Sequence, residues 1–340
     1  FSGDLEYLNG IGAVPQGIGN EDLGWERELS YNVGTDISLF NRRLNFTFDV
    51  YLKKTTDLVL DASRAPSTGT TSAKENIGEM ENKGLEFQVD GMLVQRNDFY
   101  WQVAATGSRN RILKINSALK KANEDANKVD SKTPLAQYEE GESTSALKVV
   151  KSAGIDPATG QEVFIKLNGE RTFEYSADDK FVIGDTEPRF RGTVSTNLFY
   201  KGFSLYLLGR YECGAYLYNT TRATKVEGAD PKKNADKRVF SSRWKNPGDI
   251  AFYKDIADSE GWGSNPKHTD RFVEKENVFT LGTVNFGYEF RPNICSKIGV
   301  RNLRVGVNLT DIVRWSNVKI ERGTTYLYSN GFEFTLSTTF

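Results

Sequence analysis

Histidine is the scarcest of the residues that could perform chemistry in this chain of 340 residues, because His268 is the only one. One histidine cannot supply a multi-histidine metal site, and any nucleophile–histidine pair would have to be built around this residue alone. His268 stands in a polar stretch without ligand spacing, so we expect it to be a solvated loop residue. We predict no catalytic residues, no metal site, no cofactor and no enzymatic activity.

Acidic residues form clusters that could offer oxygen ligands to Ca²⁺, which binds six to eight of them. The clusters are at 139–142, 178–185 and 249–258. None follows the alternating ligand register of an EF-hand loop, and runs of charge are usually solvated. We interpret them as charged loop surface.

Aromatic residues outside the strand-like segments are the better candidates for ligand contact. Flat rings stack on sugar faces or on peptide side chains, and nearby carboxylates can bind hydroxyl or cationic groups. The predicted substrate-binding residues are Tyr138, Trp244, Tyr253, Trp262 and Phe272. The alternative is that these rings pack the loops into a compact unit.

Strict alternation of apolar and polar residues is the dominant pattern of the chain. It predicts strands, and these strands would hold the loops that carry the aromatic residues. Phe332, Phe334, Leu336 and Phe340 alternate with polar side chains, which is the period of a strand with one apolar and one polar face. The same alternation runs over 44–53, 85–93 and 303–310. A soluble sandwich of this length would need denser two-sided cores. The pattern favours an all-β fold, a transmembrane antiparallel β-barrel with long loops.

Composition agrees with a barrel. Hydrophobic residues make up 38% of the chain, mean hydropathy is −0.51, and no run approaches the roughly 20 apolar residues of a spanning helix. Barrel strands escape hydropathy because only every second residue faces lipid. The 21 Phe and 15 Tyr suit interfacial girdles. A net charge of −1 makes nucleic acid an unsuitable partner.

Connection lengths divide the chain into nine predicted crossings. They lie near 31–40, 44–60, 76–94, 99–113, 189–199, 203–213, 275–290, 301–312 and 331–340. The long connections, at about 61–75, 114–188, 214–274 and 313–330, are predicted to be extracellular, since long loops of bacterial barrels face outward. Residues 1–30 then form a further extracellular loop, and 31–340 the barrel part. Pro157 and Gly160 predict a hairpin of 148–152 with 161–167.

An odd number of strands does not close a bacterial single-chain barrel, which uses even counts. The chain begins with Phe1 and carries no signal peptide. We therefore expect the C-terminal part of a larger barrel, whose first and last strands pair with other polypeptide. The odd positions of 301–312 and the even positions of 331–340 are predicted to face lipid.

Five segments carry a recognisable family pattern: 76–86 (NIGEMENKGLE), 152–160 (SAGIDPATG), 183–190 (IGDTEPRF) leading to 200–203 (YKGF), 301–310 (RNLRVGVNLT) and 321–323 (ERG). Together they resemble the C-terminal half of SusC/RagA-type TonB-dependent transporters of Bacteroidetes, over about residues 25–340. Two stretches depart from the family: it usually carries an aromatic and a proline where 325–329 stand here, and 214–270 matches little of it.

The resemblance implies nine strands of a plugged, 22-stranded barrel in the cell outer membrane of a Gram-negative bacterium. It implies TonB-dependent import of oligosaccharides or peptides, with TonB contacting a part absent from this chain. A SusD-like surface lipoprotein, the plug and remaining barrel, and the lipid and lipopolysaccharide of the membrane would be partners. The chain would supply barrel wall and extracellular docking loops. The alternatives are a non-transporting barrel acting as adhesin or structural scaffold and, third, a barrel hydrolase built around His268.

Overall fold

Alternating apolar and polar side chains form one antiparallel sheet of nine strands in the computed structural model of this chain. The structure describes residues 2–7, 10–14, 19–63, 72–114, 141–230, 232, 236–256, 267–322 and 327–340. The strands of the large sheet are β3 (Arg27–Leu39), β4 (Leu44–Thr56), β7 (Met80–Arg96), β8 (Phe99–Lys114), β13 (Phe190–Tyr200), β14 (Phe203–Tyr218), β15 (Val273–Glu289), β16 (Asn302–Ser316) and β17 (Gly331–Thr339). Each pairs with the next, so the sheet is a continuous meander.

Shorter strands form three further sheets. They are β1 (Ser2–Tyr7) with β2 (Gly10–Val14), β5 (Val59–Ser63) with β6 (Ser72–Asn76), and a four-stranded sheet of β9 (Ala146–Ile155), β10 (Glu162–Ile165), β11 (Arg171–Thr172) and β12 (Lys180–Asp185). The hairpin of β9 and β10 confirms the turn prediction. Its turn is closed by the N–H of Gly160, which donates to the Asp156 carbonyl at 2.8 Å. The amide and hydroxyl of Thr159 both donate to the Asp156 carboxylate.

The nine strands coincide with the nine predicted crossings to within a few residues at most ends. β14 is the main difference, since it runs to Tyr218 instead of ending at 213. A β-bulge at Gly214, with φ of 80°, interrupts the ladder, and pairing with β15 resumes at Ala215. A glycine at a bulge looks like the start of a loop in the sequence, although it only kinks the strand.

The register of the large sheet brings the apolar residues onto one face, which we call the apolar face. Leu205, Phe286, Val307 and Phe334 are directly paired across β14, β15, β16 and β17. Phe334 is 74% exposed and Phe286 is 45% exposed, so nothing in the described part of the chain covers this face. An exposed band of large apolar side chains is the lipid-facing side of a transmembrane barrel. The opposite side, the polar face, carries the alternate residues.

Two bulges keep the apolar residues on this face where the sequence changes phase. Leu281 and Val284 are three residues apart, so in a regular strand they would face opposite sides of the sheet. The bulge at Gly282 places both on the apolar face. In β7 the register shifts between Met92 and Val94, and Val94 pairs with Trp101. Leu93 therefore does not continue the alternation of 85–93 as predicted, because it is the extra residue of a bulge.

Aromatic rings form two groups on the apolar face. Near the short turns, Tyr200 contacts Phe99 and Phe203 contacts Tyr288. Near the long loops, the rings are those of Phe87, Phe190, Tyr211, Phe279 and Trp315. On β14 the two groups are separated by roughly 26 Å of strand at ~3.3 Å per residue. That spacing suits the aromatic girdles that flank a membrane-spanning apolar band.

The two ends of the sheet are open. β3 and β17 lie at opposite ends of the strand order, and each pairs with a single neighbour in the described structure. The unpaired N–H and C=O groups of such edges cannot stand in hydrocarbon. No helix in the described ranges is both long and apolar enough to cross a membrane.

Candidate functional site

Two long connections of the sheet fold into one packed unit, which we call the cap: the described residues of 141–188 and 219–272. Its hydrophobic core consists of Leu147, Val149, Ala223, Val226, Tyr253 and Phe272, together with Tyr218 at the end of β14. The connections are also joined through the backbone, because the Val150 amide donates to the His268 carbonyl at 2.9 Å. The cap is therefore a folded element mounted on β14 and β15.

A buried ion-pair network ties the cap to the start of β15. Two nitrogens of Arg271 donate to the carboxylate of Glu162 at 2.6 and 2.7 Å, and Nη1 donates to Glu227 at 2.8 Å. The Arg271 and Glu162 side chains are only 6% and 2% exposed. The guanidinium also lies over the ring of Phe272, at 4.7 Å from its centroid. Arg271 thus joins β10, the π-helix Thr221–Glu227 and β15.

Burial and neighbouring charges shift the pKa values of Glu162 and Arg271 in opposite directions. Burial by itself raises the pKa of the Glu162 carboxyl, but the hydrogen bonds and charge of Arg271 outweigh burial, so the pKa lies below its usual value. Desolvation likewise lowers the pKa of Arg271, but its two carboxylate partners raise it overall. Both side chains are therefore charged at neutral pH.

Three of the predicted substrate-binding aromatics lie in the cap. Trp244 is 9% exposed and its indole N–H donates to the Pro157 carbonyl at 2.9 Å. Tyr253 and Phe272 are 4% and 0% exposed. Each of the three packs the cap, as the alternative interpretation of these rings states. Contact with a substrate would require this packing to open, and it stays a prediction. Tyr138 and Trp262 lie outside the described residues.

His268 is buried, and the prediction of a solvated side chain was wrong. It is 7% exposed, and its ring meets the edge of the Tyr218 ring at 5.1 Å between centroids. The neighbouring Thr269 forms a parallel bridge with Val150 of β9. That long-range pairing draws the segment into the cap, and polar neighbours in the sequence do not reveal it.

Replacing Gly160 by alanine is expected to loosen the cap turn. Gly160 has φ of +74°, and a Cβ there would lie 2.6 Å from the ring of Trp244. Gly169 is a matched control, because its φ is +88° but nothing lies within 4 Å of its Cβ position. We expect Gly160→Ala to cost about 1–3 kcal/mol more than Gly169→Ala, as overpacking does. Hydrogen exchange of cap amides measures the difference, and equal protection in both variants would contradict the Trp244 contact.

The polar face holds a cavity with a volume of about 690 Å³. Its lining includes Arg210 and Glu212 of β14, Asp311 and Arg314 of β16, and Arg322, Tyr328 and Ser329. Arg210 pairs with Asp311 at 2.8 Å, and Arg314 pairs with Glu276 at 2.9 Å. The Arg322 guanidinium lies 5.3 Å from the ring centroid of Tyr328. Alternating charges beside a ring can bind hydroxyl, amide or carboxylate groups.

The backbone conformation of Asp311 directs its carboxylate into this cavity. Asp311 has φ of 51°, a conformation unusual for a residue other than glycine, at the bulge opposite Gly282. The bulge turns its carboxylate toward Arg210. These residues are not among the substrate-binding residues predicted from the sequence. The alternation of the sequence could have identified Arg210 and Arg314, because both stand at polar positions of predicted strands and therefore on the polar face.

No cluster of three or more His, Cys, Asp or Glu side chains in the described ranges could hold a metal ion. The paired charges and the Tyr328 ring of the polar face could contact a ligand.

Comparison with known proteins gives consistent relatives. A family model described as "TonB dependent receptor-like, beta-barrel" matches residues 2–139. TonB-dependent receptor P39 of Formosa agariphila is 25% identical over 92% of this chain, and receptor P3 of the same organism is 27% identical over 92%. TonB-dependent receptor SusC of Bacteroides thetaiotaomicron is 34% identical over 100 residues, 28% of this chain and 10% of that protein.

Among solved structures, the RagAB peptide transporter superposes with a TM-score of 0.77 at 22% identity, over 93% of this chain and 34% of that chain. This likeness shows the fold. The chain spans 34% and 32% of the length of the two Formosa agariphila receptors. It therefore corresponds to about a third of such a protein.

Proposed function

Since this chain forms part of a TonB-dependent receptor β-barrel, we propose that it is wall and loop structure of an outer-membrane importer of oligosaccharides or peptides. The two-faced sheet of nine strands carries this proposal, because its apolar face suits lipid and its polar face suits a wet lumen. The similarity to SusC over 100 residues supports nutrient import. TonB, the plug and the remaining strands belong to polypeptide outside this chain.

Within this proposal the cavity between β14, β15 and β16 is a contact point for substrate in the lumen. Its paired arginines and carboxylates are held in place by each other, so their remaining hydrogen-bonding capacity is oriented before a ligand arrives. Transport needs binding and release without covalent chemistry. No catalytic residue is part of the proposal.

The cap is proposed as the extracellular surface that docks a SusD-like lipoprotein. Connections of this length are uncommon and usually functional. The buried core and the Arg271 network make the cap rigid enough to present a defined surface. The similarity of the fold to the RagAB transporter suits this placement. Loss of co-purification of a lipoprotein when the cap is excised from the full transporter would support it, and unchanged co-purification would oppose it.

Uptake by the full-length transporter in its native host tests the import proposal. A deletion strain is compared with complemented strains on a panel of glycans and peptides. We expect the deletion to abolish growth on one class. Arg210→Ala combined with Arg314→Ala should reduce uptake of that class by about tenfold, the effect of ~1.4 kcal/mol of binding. The control is Arg43→Ala, which removes an exposed arginine from the turn between β3 and β4, at the opposite end of the sheet.

The rival function is a non-transporting adhesin or structural scaffold. Normal growth of the deletion strain on every substrate, together with lost surface adhesion or envelope integrity, would favour that function. An unchanged uptake in the double arginine variant would instead leave import standing and remove the cavity from it.

A further inference from the structure

Three basic residues stand at the long-loop end of the apolar face on β7 and β8. Lys83 pairs with Arg111, and Leu85 pairs with Arg109. Because side chains two residues apart share a face, these basic residues continue the line of Leu85 and Phe87. Lys83, Arg109 and Arg111 are exposed. We call these three residues the basic cluster.

The arginines of this cluster are not neutralised by the carboxylates around them. Arg109 and Arg111 form no ion pair with any residue in the ranges that the structure describes. The nearby acids have other partners: Glu81 with Lys83 at 3.2 Å, Glu142 with Lys148 at 3.1 Å, and Glu187 with Arg191 at 3.5 Å. Asp185 accepts from the hydroxyl of Ser145 and keeps its negative charge, but the cavity that it lines holds three arginines, Arg109, Arg111 and Arg189. The two guanidinium groups therefore retain their charge for an external anion.

An open cavity adjoins the cluster where the cap meets the sheet. Its volume is about 420 Å³, and both Arg109 and Arg111 line it. Glu142, Asp185, Glu187 and Arg189 also line it. A phosphate group needs far less space, so the cavity can admit a headgroup with its attached sugar.

The aromatic rings on the same face show at which level of a membrane the basic cluster would lie. The rings of Phe87 and Phe190 stack at 5.7 Å between centroids on the same face. Aromatic belts lie at the level of lipid headgroups. Arg109 and Arg111 lie roughly 3–10 Å beyond this belt at ~3.3 Å per residue, on the side away from the hydrocarbon. Phosphates of bilayer headgroups occupy that level.

We propose that Arg109 and Arg111 bind the phosphate of a glycolipid headgroup in the outer leaflet of the membrane. The planar guanidinium matches phosphate geometry with two parallel N–H donors. Basic groups at a membrane interface attract anionic headgroups, and long loops of bacterial barrels face the outer leaflet. The continuity of the cluster with the apolar face favours a lipid over a soluble anion. The proposal requires only that the strands lie in a membrane, so it can fail while the import proposal stands.

Lipid retention by the full-length transporter in detergent tests this site. The variant is Arg109→Gln with Arg111→Gln, and the matched control is Arg43→Gln, an exposed arginine in the β3–β4 turn at the opposite end of the sheet. Diphosphoryl lipid A and dephosphorylated lipid A are added separately, and native mass spectrometry counts bound molecules. Each charge removed should weaken binding about fivefold, so we expect a roughly 25-fold weaker affinity for the diphosphoryl form in the double variant. The Arg43 variant should bind as the wild type does.

Equal binding of both lipid forms by the wild type would overturn the proposal, as would full retention of the diphosphoryl form in the double variant. Displacement of that lipid by millimolar inorganic phosphate would identify a soluble anion as the occupant, which also overturns it. Heat-modifiable migration on gels shows that each variant is folded, so a loss of lipid reports the site itself.

Discussion

Replacing Arg271 by methionine is expected to destabilise the cap by about 3–5 kcal/mol, because it leaves two carboxylates buried without a positive partner. Glu162 and Glu227 are 2% and 9% exposed in their pairs with Arg271, so water cannot take over the role of the guanidinium. Hydrogen exchange of β9 and β10 amides in the full transporter measures the loss. Methionine keeps most of the apolar contact with Phe272, so the effect reports charge and hydrogen bonding.

Lys166→Met is the control for this substitution. Its pair with Glu170 is 38% and 60% exposed, and such surface pairs contribute about 0–1 kcal/mol. Combining Arg271→Met with Glu162→Gln and Glu227→Gln should restore part of the protection, since the uncompensated charges are gone. Equal protection in Arg271→Met and Lys166→Met would show that the network contributes little to the cap.

Acid should weaken the cap through the same network. The pKa of Glu162 in the folded protein lies below its usual value of 4.5. Its ionised form therefore stabilises the cap fully above pH ~4.5, and this contribution is lost as pH falls through the lower folded pKa. In Arg271→Met, the Glu162 carboxyl keeps its burial and its hydrogen bonds with Ser152 and Thr269 but loses those of Arg271 and the positive charge, so its pKa should rise and the pH dependence should move upward. Exchange protection measured between pH 3 and 7 would show the shift, and parallel profiles would contradict it.

Arginine at Val307 is expected to lower the free energy of unfolding of the barrel by ~2–4 kcal/mol, the cost of a basic side chain facing the bilayer midplane. Val307 lies between Phe286 and Phe334 in the register of the apolar face. Asn308→Arg is the matched control, because Asn308 is the next residue of the same strand and faces the opposite side. Its cost should be much smaller, since the polar face is wet in a barrel. Urea titration of the full barrel in lipid vesicles compares the two.

Equal costs at Val307 and Asn308 would contradict the lipid-facing assignment of the apolar face. The pair Phe334→Arg and Thr335→Arg repeats the comparison on β17, where Phe334 is 74% exposed. Agreement of both pairs would separate a property of the whole face from a local effect at one site.

The strands were the most predictable part of this molecule. Side chains of a strand alternate between two faces whatever the tertiary context, so Phe332, Phe334 and Leu336 revealed β17 directly. The turn after Asp156 was equally local, since proline and glycine fix its backbone. The resemblance to TonB-dependent receptors, which rested on short segments such as 76–86, is confirmed by the family model and the relatives.

The cap was not predictable in the same way, because long-range contacts decide it. Nothing around His268 or Phe272 in the sequence shows that β9, more than 100 residues earlier, will cover them. The extension of β14 past Gly214 was hidden for a different reason: a bulge glycine and a loop glycine look alike. Asp311 likewise carries no local sign of the bulge that directs its carboxylate to Arg210.

The separation of the cap residues along the chain imposes an order on biogenesis. Arg271 and Glu162 are 109 residues apart, and β13 and β14 lie between them. Closing so long a loop costs entropy that only the completed contacts repay. The β13–β14 hairpin, whose strands pair at once across a short turn, can form while both halves of the cap are still unfolded chain. Assembly of the cap is therefore expected to be a late event, and until then its two halves expose the apolar residues of its core.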